Sequence, residues 1–371
     1  MATIFYSIMG EGRGHAARAR AIVERLRDRH RLVLFTSHDA LAFLRKQYDA
    51  DPDVEVREIP GLVFHYTPQG IDNVKTIRLG LAFWASMRRY TRRLDAAITD
   101  ERPDLVITDF EPLLPRAAHN AGVPVLSLDH QHFMSTYDLS SLPRELRDWA
   151  WRMSWSIWAF GIKQHRTVVS AFYKPPLRPG FEDVTQVGPL LRESVSQCTP
   201  TRGEHILSYL RRATPPAVVD RLAELPLPVK VYGLGAKPPR GAVTFCEIDE
   251  TTFVEDLAGC DAVIAAAGNQ LLGEALHFGK PVLAMPERHH YEQRINAEFI
   301  AQMGAGEQQI IETLTAEHLT GFLDRRETYR QTLAESDQDF DGGPAAEQAV
   351  EAMLADHASA STTVRSAKVS A

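Results

Sequence analysis

Short apolar runs alternate with amphipathic stretches along almost the whole chain. The runs are bounded by Gly, Pro, Asp and Asn and read as buried strands, while the stretches between them carry the three- and four-residue spacing of helices. In the first half the pattern predicts strands at Thr3–Ile8, Arg31–Thr36, Val54–Ile59, Leu105–Thr108 and Pro124–Leu128. Helices are expected at Ala16–Asp28, Ala40–Lys46, Asn73–Thr99 and Leu113–Asn120. The second half repeats the grammar, with strands at His205–Tyr209, Val229–Tyr232, Val243–Phe245, Ala262–Ala265 and Pro281–Ala284. Its helices fall at Ala217–Glu224, Thr252–Leu257, Leu271–Phe278 and Tyr291–Met303. Such alternation predicts an α/β fold with parallel sheets.

At 371 residues the chain exceeds a comfortable single core. The stretch "YKPPLRPGFEDVTQVGPLLRESVSQCTPTRG" between the halves is dense in proline and turn residues, which marks a domain crossing. The expected organisation is two Rossmann-like doubly wound domains, residues 1–170 and 201–338, joined by a linker over 171–200 and facing each other across a cleft. A glycine break in "DFDGGPAAEQAVEAMLA" predicts a last helix at Pro344–Ala355, within 339–356. The small polar residues 357–371 read as a disordered tail.

Composition narrows the function. Net charge is −7 with no long basic run, which gives no support for a nucleic-acid surface, and no nucleic-acid partner is expected. The three cysteines, Cys198, Cys246 and Cys260, have neither metal-ligand spacing nor an even count, so they read as buried thiols in a reducing compartment. No secretory signal and no run long enough to span a bilayer is visible, and the expected location is the cytoplasm.

In an open parallel sheet, ligands sit beyond the carboxyl ends of the strands. The polar residues expected there include Gly10–His15, Thr108–Glu111, Asp129–His132, Ala266–Asn269 and Glu287–His290. The first of these, "GEGRGH", has the spacing G-x-G-x-G, whereas a dinucleotide site wants G-x-G-x-x-G. Gly12 and Gly14 would let a ligand approach the backbone at a helix mouth, where His15 stands. A lone histidine at such a place is commonly a cap. Asp109 in "LVITDFEP", however, ends a strand expected on the same sheet edge. A carboxylate holding one imidazole nitrogen leaves the other as a general base.

The most informative segment is "CDAVIAAAGNQLLGEALHFGKPVLAMPERHHYEQRINAEFI", residues 260–300. A strand runs into Gly268 and a helix then opens with Gln270 and Leu271, so backbone amides and the helix dipole suit a diphosphate. Glu274 falls about one turn further on, and Glu292 and Gln293 open the next helix. This segment resembles the donor half of nucleotide-sugar glycosyltransferases of the two-Rossmann GT-B architecture, the UDP-glycosyltransferase and MurG-like group. Gly268, Glu274-Ala275-Leu276, Gly279, Pro281, Pro286, Glu292-Gln293 and Asn296-Ala297 stand in that pattern's register. "DVTQVGPLLR" resembles the group's passage into its second half, and "GRGHAAR" its G-x-G-H loop.

The resemblance implies an inverting, metal-independent transfer of sugar from a nucleoside-diphosphate donor, uridine being the commonest base, to a hydroxyl acceptor. It makes His15 the base and Asp109 its orienting partner. Gly268, Asn269 and Gln270 would line the diphosphate, Glu274 would bind the ribose, and Glu292 and Gln293 the donor sugar. The first domain would bind the acceptor, the last helix would cross back to it, and no cofactor beyond the nucleotide-sugar co-substrate is implied. The chain departs from the pattern at Ala266, where relatives carry histidine, and after Asn269, where they carry a hydroxyl. Phosphate binding then leans on amides or on Arg211 or Arg288.

On the acceptor side, "LSLDHQHFMSTYDL" places His130 and His132 beyond a strand, with no third ligand at helical spacing to make a metal site. They are expected to line a polar acceptor pocket. Four of the five tryptophans follow in one window, and Trp151, Trp155 and Trp158 share a helical face. That face is either core, a groove for a hydrophobic or lipid-linked acceptor formed by Trp155 and Trp158, or a peripheral membrane contact near 149–162. A nucleotide-sugar epimerase or hydrolase on this fold and a silent nucleotide-sugar-binding protein are the alternatives, because fold and donor site do not fix the reaction.

Overall fold

The computed structural model describes residues 1–11, 13–61, 66–67, 70–71, 73–160 and 164–369. They form two compact units: one of Met1–Leu139, Ala150–Arg192 and the chain from Gly342, the other of Ser140–Trp149 and Glu193–Asp341. The expected strands all form, with ends within one residue of those predicted.

The first unit contains β1 (Thr3–Ile8), β2 (Arg31–Thr36), β3 (Val54–Glu58), a detached antiparallel pair β4 (Tyr66–Thr67) and β5 (Gly70–Ile71), then β6 (Leu105–Asp109), β7 (Val125–Asp129), β8 (Arg166–Ser170) and β9 (Thr185–Val187). Seven of these make one parallel sheet in the order β3-β2-β1-β6-β7-β8-β9. The chain builds outward from β1 on one side, then crosses to its other side with β6. That reversal leaves a crevice at the carboxyl ends of β1 and β6. Both faces of the sheet are covered, which is why its strands read as unbroken apolar runs. Ile4, Tyr6 and Ile8 pack on Ala16, Ala19, Ile22 and Val23 of the helix Arg13–Leu26, and on Ala346, Val350 and Met353 of the last helix. Phe5 and Met9 point the other way, into Phe83, Met87, Leu114 and Ala118.

The second unit repeats the plan with β10 (Ile206–Tyr209), β11 (Val229–Tyr232), β12 (Val243–Phe245), β13 (Ala262–Ala265), β14 (Val282–Ala284) and β15 (Gly306–Gln308) in the order β12-β11-β10-β13-β14-β15, again all parallel. Its reversal lies between β10 and β13. Ser140–Trp149, which the sequence reading placed within 1–170, packs in this unit: Glu145 holds Arg294 through two bonds of 2.9 and 2.8 Å, and the Trp149 ring stacks on Tyr291.

Five strands, the two-residue β4 and β5 together with β8, β9 and β15, and one long helix carried no clear pattern. β15 is the polar triplet Gly-Glu-Gln, and a Cβ on Gly306 would meet the Val282 carbonyl at 1.8 Å, so close packing rather than apolar burial sets that strand. β8 and β9 are short. The helix Ala316–Ala334 buries only Leu319, Phe322 and Leu323 and is anchored by a reciprocal Thr315–His318 cap. The last helix spans Gly343–Val369, continuing through residues expected as a disordered tail. No glycine or proline interrupts 357–369, so nothing local stops it. Among the described residues no helix is long and apolar enough to cross a membrane.

Candidate active site

β1 and β6 pair in register with Ile8 opposite Asp109, so the acid emerges at the strand end that feeds the helix carrying His15. His15 Nδ1 lies 2.9 Å from Asp109 Oδ1, and the histidine side chain is 14% exposed while the acid is fully buried. With Nδ1 engaged, Nε2 is the nitrogen available for chemistry. Burial alone would raise the Asp109 carboxyl, but the Arg18 guanidinium charge and the hydrogen bonds with Arg18 and His15 outweigh it and hold the acid below its ordinary range. Arg18 was missing from the sequence reading, although its spacing of three from His15 on one helix was a readable signal. Its Nε donates to Asp109 Oδ2 at 3.0 Å and its Nη2 to Oδ1 at 2.7 Å.

The glycines divide in role. A Cβ on Gly10 would sit 2.0 Å from Ser37 Oγ and 2.7 Å from its carbonyl oxygen, so this glycine permits close packing of two loops. Gly14 faces open space at the helix mouth. Gly12 lies outside the described residues. Phe110, next to Asp109, holds a φ of +57°, a conformation that a bulky residue adopts only under tertiary constraint. It turns the chain so that Glu111 faces the next helix, where its two oxygens accept from the amides of Leu113 and Leu114 at 2.8 and 3.0 Å.

Burial pushes the Glu111 carboxyl up to about 7, the two amides only partly opposing it. The folded state therefore holds this proton more tightly than the unfolded chain does. Stability falls as pH rises from the ordinary 4.5 to about 7 and the deficit then stays constant. Glu111→Gln removes the titration. It is expected to narrow the gap between thermal stability at pH 5 and at pH 8, by about 1–3 kcal/mol, read from melting curves at the two pH values.

A second acid–imidazole pair ends β7. His132 Nδ1 lies 2.6 Å from Asp129 Oδ2, and the His132 amide donates to Oδ1 at 2.9 Å. Burial opposes both charges, yet the pair prevails: Asp129 falls to about 2 and His132 rises above ordinary imidazole. Glu111, Ser127, His132, Gln164, Phe110 and Ile157 border a cavity of about 20 Å³, enough for one water molecule or hydroxyl group. His130 does not border this cavity. Its Nδ1 donates to the Ser170 carbonyl at 2.9 Å and its ring packs on Phe133 and Tyr173, because the turn after β7 folds it into the core.

In the second unit, β10 and β13 are neighbours, and the Ala266 amide bonds the Tyr209 carbonyl at 3.2 Å. The loops bearing Arg211 and Gly268 therefore leave the same edge at the sheet's reversal. Helix Asn269–His277 starts from Gly268 with no side-chain cap, and a Cβ on Gly268 would meet nothing within 4 Å. The start of this helix, where no side chain caps it, is the positive end of the helix dipole, which suits an anion. Glu274 is buried and accepts from Gln270 Nε2 at 3.1 Å; Asn269 is buried, and Asn296 ties the preceding loop through the Ala267 carbonyl. Arg211 pairs with Glu287 at 3.0 Å, both half-exposed, an ion pair weak enough to exchange for a ligand phosphate. Gln293 is buried and accepts from the Glu287 amide at 3.1 Å, so it shapes the loop. Glu292 is half-exposed at the start of the same helix, Tyr291–Gln302. Arg288 is exposed, its amide held by Glu312.

The tryptophan face is not core. Trp151, Trp155 and Trp158 are 59%, 59% and 77% exposed, contacting one another edge to face, while Leu146, Ala150 and Ile157 fill the interior. The reason is registry: the buried stripe of this helix falls on the aliphatic positions.

Two parallel Rossmann-like units, each with its polar loops at the reversal of strand order, make this a GT-B fold. It is shared with CalG4, the calicheamicin glycosyltransferase (TM-score 0.65, 19% identity, 96% of this chain and 98% of that one). It is also shared with a UDP-glucosyltransferase from Polygonum tinctorium (0.67, 12%, 95% and 98%) and with MurG of Acinetobacter baumannii (0.60, 14%, 95% and 99%). The chain belongs to glycosyl transferase family 1, whose family model matches residues 2–326. A protein of Methanosarcina mazei described as an uncharacterized glycosyltransferase is 27% identical over 240 residues, 56% of this chain and 61% of the relative. Another such protein, from Methanosarcina acetivorans, is 43% identical over 58 residues, 15% of each chain.

Proposed function

We propose that the protein is an inverting glycosyltransferase that moves a sugar from a nucleoside-diphosphate donor, a UDP-sugar, to a hydroxyl acceptor without a metal. The observation that carries the reading is the 2.9 Å His15–Asp109 pair at the reversal point of the first sheet. His15 Nε2 takes the acceptor hydroxyl proton as that oxygen attacks the anomeric carbon. The bond from this carbon to the diphosphate breaks in the same displacement, which inverts the centre. The positive end of the helix that begins after Gly268, with Arg211 released from Glu287, bears the leaving charge, and Glu274 holds the ribose. The UDP-glucosyltransferase named above supports uridine as the base.

The test is calorimetric titration of UDP, dTDP, GDP and ADP into the protein with EDTA present. UDP alone is expected to bind saturably, and Glu274→Ala to weaken it by about tenfold or more, the loss of one or two charge-assisted hydrogen bonds. Binding of none, or equal binding of UDP by Glu274→Ala, would sink the donor assignment.

The exposed tryptophans support a hydrophobic or lipid-linked acceptor met at a membrane surface, because indoles favour that boundary and Arg147 and Arg152 flank them. Sedimentation with vesicles containing anionic lipid is expected to drop about tenfold in Trp155→Ser/Trp158→Ser. Equal sedimentation of the variant would leave these rings without that role.

A further inference from the structure

Three polar groups meet at the mouth of the first helix where a two-member pair was expected. The Arg18 guanidinium covers both oxygens of Asp109, and its Nη2 also lies 3.0 Å from His15 Nδ1. Arg18 and Asp109 are each almost wholly buried, so neither charge is screened by solvent. Among the described residues, the Tyr6 hydroxyl on β1 and the Asp129 carboxylate on β7 also act on this cluster.

An imidazole opposite a bare, buried carboxylate gains a proton readily, because that proton is the only charge opposing the acid. A general base must be proton-free at the working pH. Here the guanidinium already opposes the acid, and a proton on His15 would put a second cation 3.0 Å from the first. We propose that Arg18 is a positioning residue that balances the Asp109 charge and fixes both its oxygens, so that His15 is held with Nε2 toward the group it deprotonates. The inference rests on the reading of His15 as the base. It adds that this base is built from an ion pair plus a histidine, not from an acid–histidine dyad.

The imidazole resonances of the full-length protein, followed by NMR against pH, test this without substrate; His15 is assigned by the signal lost in His15→Gln. In Arg18→Met the midpoint of the His15 titration is expected to rise by about one unit or more, a tenfold gain in proton affinity. Arg18→Lys keeps the charge and is expected to recover most of that shift. An unmoved midpoint in Arg18→Met with native circular dichroism overturns the proposal. Arg18→Met leaves Asp109 buried without its partner, which threatens folding. The paired variant Arg18→Met/Asp109→Asn removes both charges together, and its His15 midpoint is expected to match the parent. A fall of about one unit there would mean that Asp109 acts on His15 unopposed, and would equally overturn the proposal. Undiminished sugar transfer by His15→Gln, by contrast, would remove the base reading and leave the titration result standing.

Discussion

His15→Ala is expected to lower the rate of sugar transfer by about a thousandfold, the middle of the range for a lost general base, and to leave UDP affinity unchanged. The separation follows from where the residues sit. His15 belongs to the first unit, while the uncapped helix after Gly268 and Glu274 belong to the second. A base that acts only on the acceptor proton contributes to the transition state and not to the ground-state hold on nucleotide. Single-turnover rates at saturating donor, with calorimetry on the same preparation, read both quantities. A fall in nucleotide affinity equal to the fall in rate would mean that His15 supports the donor rather than the acceptor.

Asp109→Ala is expected to destabilise the fold by about 3–5 kcal/mol near neutral pH, because it leaves the Arg18 guanidinium buried without its counter-charge. Both groups are almost fully enclosed, so solvent screening does not reduce the effect. The sign of the pH dependence follows from the acid. Its folded-state affinity for a proton is lowered, so its contribution is present above the ordinary carboxylate value of 3.8 and is lost as pH falls through the lower folded value. The difference between parent and variant in urea denaturation is therefore expected to shrink as the medium is taken below pH 3.8. A variant as stable as the parent at pH 7 would mean that Arg18 finds another partner or reaches solvent when the acid is gone.

Much of this molecule follows from local pattern. Strands β1, β2 and β13 were legible residue by residue, because a strand covered on both faces is apolar along nearly all its length and ends in turn residues. The carboxyl ends of β1, β6 and β13 then lead to His15 in the helix after β1, to Asp109 at the end of β6, and to Gly268 and Glu274 at the start and within the helix after β13. β15 was illegible for the opposite reason: it is polar, and its place depends on the fit of Gly306 against Val282, two residues far apart in sequence.

The sequence by itself determined the α/β alternation, the loops at the strand ends and the identity of the acid and the imidazole, since these depend on neighbouring residues along one element. Only the tertiary structure decided that Arg18 occupies both oxygens of that acid, that the Phe110 turn buries Glu111, that His130 points into the core, and that the tryptophan face looks outward. Each of these depends on which side of an element meets another. An ion pair or a buried face is formed by packing between segments, and periodicity along a single segment does not specify its partner.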